Sequence, residues 1–274
     1  MRGVLRIEGE IGSCSRPALF EAGVVDAHGM DCHLGTERSG VGVAIIDSGD
    51  ISVAPEADDD LLGAAVLAHM AFAPAFSGDP ERREEARDKL HGARVFAGRG
   101  NVSSEMVAWL DAVEAEVETR FGDTRRALQL IQHAEEVYSQ YDADENPSPP
   151  WLDWFSATRL AGFKGNTLLA AGKGAEARAT LEQALADLPV EAIKQRAVFL
   201  ADLAAAAVLE RDPEQACSYL EEALKVLGDH WYATAMERVK DVRQSLREWD
   251  SLPQMRALDD QLYNWHTMIR SLSG

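Results

Sequence analysis

GNTLLAAGKGAEARATLEQALADLP, residues Gly165–Pro189, is the stretch on which the fold class turns. In its second half Ala177, Leu181 and Ala184 stand at i, i+4 and i+7, which is one face of an α-helix. Alanines on that face let a neighbouring helix approach closely, and the leucine between them fills the space left over. Gly172-Lys173-Gly174 interrupts the pattern ahead of the stripe, and Leu188-Pro189 closes it. The stretch therefore reads as helix, tight turn, helix.

The same small–large–small stripe occurs three more times, as Ala86, Leu90, Ala93, as Ala127, Ile131, Ala134, and as Ala216, Leu220, Ala223. Successive copies are 41, 50 and 39 residues apart. Around them the composition from Asp58 onward is rich in Ala, Leu, Glu and Arg, all good helix formers. Punctuation recurs at Gly78-Asp79-Pro80, Gly122-Asp123, Arg211-Asp212-Pro213 and Leu252-Pro253. An Asp at these points supplies an N-cap, and a Pro in the first turn forfeits no hydrogen bond. The spacing predicts about ten helices, over 58–76, 80–98, 103–121, 124–141, 151–171, 174–187, 190–210, 213–227, 231–248 and 253–272. The expected fold class is all-α, about five antiparallel helix pairs stacked as a solenoid, because each unit can bury its apolar face only against its neighbours. The long break Asp142–Pro150 (DADENPSPP) is too polar and Pro-rich for helix or strand.

Gly165, Leu168, Gly172, Ala177, Leu181, Ala184, Leu185 and Pro189 fall at the spacings of the tetratricopeptide repeat, which the chain resembles over 58–272; the fourth pair departs from it, with Arg211 where Gly is usual. Three longer strings sharpen the resemblance: Trp151–Lys173, Glu191–Ala206 and His230–Leu246. They are similar to the C-terminal repeat region of actinobacterial Xre-type helix-turn-helix regulators. The resemblance implies a region that senses or dimerises beside a separate DNA-binding domain. Before residue 58 there is no helix-turn-helix pattern and no basic recognition helix, so direct DNA contact by this chain is not expected.

Residues 1–57 differ from the rest. Nine of the 21 glycines lie in the first 50 positions, and only Val41–Asp47 and Ile51–Ala54 are strand-like, around a Ser48-Gly49-Asp50 turn. This segment is expected to be a weakly structured extension or a short hairpin. Across the whole chain 27 Lys and Arg face 46 Asp and Glu, a net charge of −19, which repels a phosphate backbone. Three scattered cysteines, Cys14, Cys32 and Cys217, make no disulfide framework and point to a reducing cytoplasm. The apolar runs Gly63–Phe76 and Ala197–Leu209, broken by His69 and Asp202, are too short to cross about 30 Å of hydrocarbon.

Catalytic signatures are absent: there is no G-x-S-x-G, no H-E-x-x-H and no complete phosphate loop, so no enzyme activity and no cofactor are expected. Asp142–Asp153 has Pro147 where a calcium loop needs Gly, and Cys14, His28, Cys32 and His33 match no structural zinc spacing. The expected function is a non-enzymatic interaction or sensor module that binds a peptide, a protein partner or a small ligand in the groove lined by the first helix of each pair. The resemblance places Asn166, one residue after Gly165, in that groove. Arg159 lies two turns earlier on nearly the same face. Lys194, Gln195, Arg196 and Arg238 begin or line the next first helices, and basic residues gathered there mark a carboxylate-bearing or anionic ligand. Aromatic residues cluster at Trp151, Trp154, Phe155 and Phe163, and again at Trp231, Tyr232, Trp249, Tyr263 and Trp265. The apolar Leu262–Ile269 makes a homodimer through the C-terminal helices an expected partner. The alternative is a regulator fragment without its DNA-binding domain, which acts only by dimerising or has no function.

Overall fold

The computed structural model describes residues 59–272, the last nine of them as helix backbone, together with the backbone of four short strands. Strands β1 (Glu21–Val25) and β2 (Asp31–Gly35) pair antiparallel, as do β3 (Ala44–Asp47) and β4 (Asp50–Val53). The first hairpin has no counterpart in the sequence reading, which found strand character only after residue 40. The side chains of Cys14, His28, Cys32 and His33 lie outside the described residues, as does Trp265.

From Asp59 onward the described chain is helical. It runs through α1 (Asp60–Met70), α2 (Phe72–Ala75), α3 (Arg83–Ala97), α4 (Ser104–Arg120), α5 (Thr124–Tyr138), α6 (Ala157–Ala170), α7 (Gly174–Ala186), α8 (Ile193–Leu209), α9 (Pro213–Asp229), α10 (Ala233–Ser245) and α11 (Pro253–Leu272). The helices pack as sequence neighbours: α1 on α3, α4 on α5, α6 on α7, α8 on α9. All twelve stripe residues, from Ala86 to Ala223, are buried. Among the described residues no helix is long and apolar enough to cross a membrane.

Three of the turns inside pairs are built alike. After α4, α6 and α8 the chain passes through one left-handed residue, Gly122 (φ 79°), Gly172 (φ 72°) and Arg211 (φ 61°). In each case the next residue donates its N–H back to a carbonyl five residues earlier: Asp123 to Glu118, Lys173 to Leu168 and Asp212 to Ala207, all at 2.9 Å. This double-bonded C-cap satisfies carbonyls that a helix end leaves open. Asp123 and Asp212 then cap the following helix, accepting from Arg126 N at 3.1 Å and Gln215 N at 3.0 Å. Arg211 takes the conformation that glycine takes in the other two copies.

Two elements differ from the sequence reading. The fifth helix starts at Ala157 and not at Trp151, because Ser156 turns extended (φ −158°, ψ 168°) and its Oγ accepts from Arg159 N. Pro149 and Pro150 favour extended or turn geometry, and the short 3-10 turn Pro150–Leu152 buries Trp151 and Leu152. At the other end α10 and α11 do not repeat the earlier pairing. Both pack on α9, and a 3-10 turn at Leu246–Trp249 redirects the chain between them.

The first helices also pack on one another in series, α1 on α4, α4 on α6, α6 on α8 and α8 on α10. Glycines set their spacing. A Cβ on Gly162 would lie 2.7 Å from Phe199 Cε1 of α8, and one on Gly165 would lie 2.5 Å from Leu181 Cδ2 of α7. Both are closer than carbon atoms can sit, so the approach of α6 to α7 and α8 depends on glycine at these positions.

Candidate functional site

The close approach at Gly162 and Gly165 aims the next residue, Asn166, between its neighbours. Its Nδ2 donates to Glu116 Oε2 of α4, and its Oδ1 faces Arg238 Nη1 of α10 at 3.5 Å. Glu116 also accepts on Oε1 from its helical neighbour Arg120, through Nε at 3.1 Å and Nη2 at 3.0 Å. Arg238 Nη1 donates at 2.5 Å to Asp202 Oδ1 of α8. One polar chain, Arg120–Glu116–Asn166–Arg238–Asp202, thus crosses four successive first helices.

Burial sorts the chain into a floor and a rim. Glu116 and Asp202 are 5% and 4% exposed, whereas the Arg238 and Arg120 side chains are 23% and 38% exposed. The carboxylates lie beneath and the guanidinium groups above. Burial pushes the Asp202 carboxyl up from its ordinary range, with the Arg238 charge pulling the other way. Burial also works against the charge on Arg238, but Asp202 and Glu116 outweigh it and hold the guanidinium more firmly protonated than usual. Two acids and two bases leave the chain electrically balanced. Removing any one charge would strand another away from water.

Arg238 is engaged through Nη1 alone. Among the described residues its Nε and Nη2, the edge that can grip a carboxylate with two parallel bonds, meet no acceptor. The guanidinium is therefore held in position from below with its two-pronged edge left over.

Of the residues singled out from the sequence, the hydrogen bonds join Asn166 and Arg238. Arg159 lies with its guanidinium 5.4 Å from the Trp154 ring, and Lys194 has its ammonium 5.5 Å from the Tyr232 ring, both outside that chain. Arg196 is half-buried and makes no ion pair among the described residues. Sequence reasoning did not find Glu116, Arg120 or Asp202 as partners. A signal existed for Asp202, the single charge in the apolar run Ala197–Leu209, but none for Glu116, which stands between Glu114 and Glu118.

A second polar cluster ties α3, α4 and α5. Arg94 reaches Asp111 at 2.7 Å and Glu114 at 2.5 Å, Arg87 reaches Glu118 at 2.8 Å, and His133 Nδ1 lies 2.6 Å from Asp111. Of these groups, Arg87, Arg94, Glu114 and Glu118 border a cleft of about 430 Å3. Its lining carries Arg87, Arg94 and Arg126 against Glu114, Glu118 and Asp123, so it offers no unbalanced charge to a ligand. Among the described residues no group of His, Cys, Asp and Glu is arranged to hold a metal ion. Compared with known proteins, the chain matches no family model and no curated sequence.

Proposed function

We propose that this protein is a non-enzymatic helical-repeat interaction module, a tetratricopeptide-like solenoid that captures a carboxylate-bearing peptide or protein segment along its first helices. The observation that carries this reading is Arg238. Its Nη1 is fixed by buried Asp202 and by Asn166, while its Nε and Nη2 edge is unpartnered among the described residues. A guanidinium already held in place loses little freedom when it binds, and a two-pronged bond to a carboxylate adds geometric selectivity. Asn166 beside it has a second amide hydrogen for a peptide carbonyl.

The test uses the full chain, immobilised, and a pool of random heptapeptides in two forms, with a free C-terminal carboxylate and with an amide. Retention of the free-acid pool over the amidated pool is expected, falling at least about tenfold in Arg238→Lys, which keeps the charge over Asp202 but loses the fork. Equal retention of both pools, or an unaffected Arg238→Lys protein, would overturn the reading.

A further inference from the structure

Asn166 joins the two halves of the polar chain, one through its amide nitrogen and the other through its amide oxygen. The amide donates to Glu116 on α4 and accepts from Arg238 on α10, which are 50 and 72 residues away. The two acids that anchor the chain are buried, so neither can let go and be rehydrated cheaply. The link from Arg238 to Asn166, at 3.5 Å, is the longest in the chain. Chains of this kind have few discrete arrangements and do not deform smoothly.

We propose that Asn166 is a positioning residue that couples α10 to α4, so that a change in the hold on Arg238 is transmitted to Glu116 and Arg120 across the intervening helices. The proposal adds regulation to the carboxylate site and takes from that reading only what would pull on Arg238. A segment that grips the free edge of Arg238 would draw it away from Asn166. Asn166 would then lose its hold on α10 and be tied to Glu116 alone, and α4 would respond although the ligand never touches it. Coupling of this sort runs through these hydrogen-bonded contacts and needs no other intermediary.

The experiment needs no ligand, so its outcome is separate from that of the peptide test. Unfolding equilibrium constants are measured in urea for the full chain, for Glu116→Gln, for Arg238→Lys and for the double variant. The same four are then repeated on an Asn166→Leu background. If Asn166 couples the two sites, the double variant departs from the product of the single effects by at least about fivefold, the low end of energetic coupling between sites. On the Asn166→Leu background the departure shrinks to below about twofold, within ordinary additivity. Should Glu116→Gln fail to fold, Glu116→Asp takes its place and keeps the cycle complete. Additive single effects overturn the proposal. So does a departure of equal size without Asn166, which would mean that the charges act on each other directly through space.

Discussion

Replacing Arg238 by Met removes the only ion-pair partner, among the described residues, of a carboxylate that is 4% exposed. Breaking one side of a buried ion pair costs about 3–5 kcal/mol, because the remaining charge is stranded in a poorly solvating site. Two further consequences follow from the same geometry. Burial already raises the Asp202 pKa and Arg238 opposes that rise, so without Arg238 the carboxyl moves further up. In the unfolded chain Asp202 ionises at its ordinary value, while the folded variant keeps its proton. Over that interval the native state binds more protons, and stability falls as pH rises, by about 1.4 kcal/mol per pH unit at most. Below the ordinary Asp range both states are protonated and this loss is absent. Second, Asp202→Leu combined with Arg238→Met replaces the pair by apolar groups of similar size, and this should return stability to within about 1 kcal/mol of wild type. The assay is urea denaturation of the wild type, Arg238→Met and the double variant at pH 5 and pH 7.5. A loss below about 1 kcal/mol in Arg238→Met at pH 7.5, or one that does not grow with pH, would show that the pair is not what neutralises Asp202.

Other substitutions probe the frame around the site. Gly165→Ala places a Cβ 2.5 Å from Leu181 Cδ2 and 2.6 Å from its Cγ, and should destabilise by about 1–3 kcal/mol in thermal unfolding, as overpacked cores do. Gly172→Ala, at φ 72°, should cost about 1 kcal/mol through backbone strain alone, since no atom lies within 4 Å of the added carbon. Arg211→Gly relieves the same strain but gives up the exposed pair with Glu248 at 3.0 Å and the stack 5.2 Å over Trp249, so its net effect on the melting midpoint should be within about 0.5 kcal/mol of zero. Asp259→Asn loosens α11, because Arg243 loses a bidentate partner held at 2.7 and 2.8 Å; faster limited proteolysis within α11, with α8 and α9 unchanged, is the expected result.

Much of the frame could be read from local spacing. Helix starts at Asp79, Asp123 and Asp212, and the burial of every stripe alanine, depend on interactions within three to seven residues, which is the range over which sequence periodicity carries information. The start of α6 was not legible in this way. Trp151, Leu152 and Phe155 have helix-like apolar spacing, but the first two are buried from a 3-10 turn and Phe155 from the segment after it, not from a helix face. The site was legible only in halves. Asn166 and Arg238 stood out through their likeness to a repeat pattern, whereas Glu116 and Asp202 came into view only with the fold. Nothing local pairs residues 36, 50 and 72 positions apart.

Their burial also bears on why a chain of net charge −19 places Arg120 and Arg238 on its first helices. If these arginines served only to offset the surplus of acid, they would be spread over the surface in exposed pairs, each worth about 0–1 kcal/mol. Arg120 and Arg238 instead pair with Glu116 and Asp202, two of the five buried carboxylates among the described residues, and Asn166 joins them into one balanced chain. In stacked helix pairs stability comes mainly from nearest neighbours, and each pair can shift against the next at small cost. Alanine stripes favour that freedom, because small residues packed on small residues hold helices close without fixing their angle sharply. A hydrogen-bonded chain through α4, α6, α8 and α10 removes it at one place. The proposed coupling rests on the contact of Asn166 with Arg238, which lies beside the edge of Arg238 that meets no acceptor among the described residues.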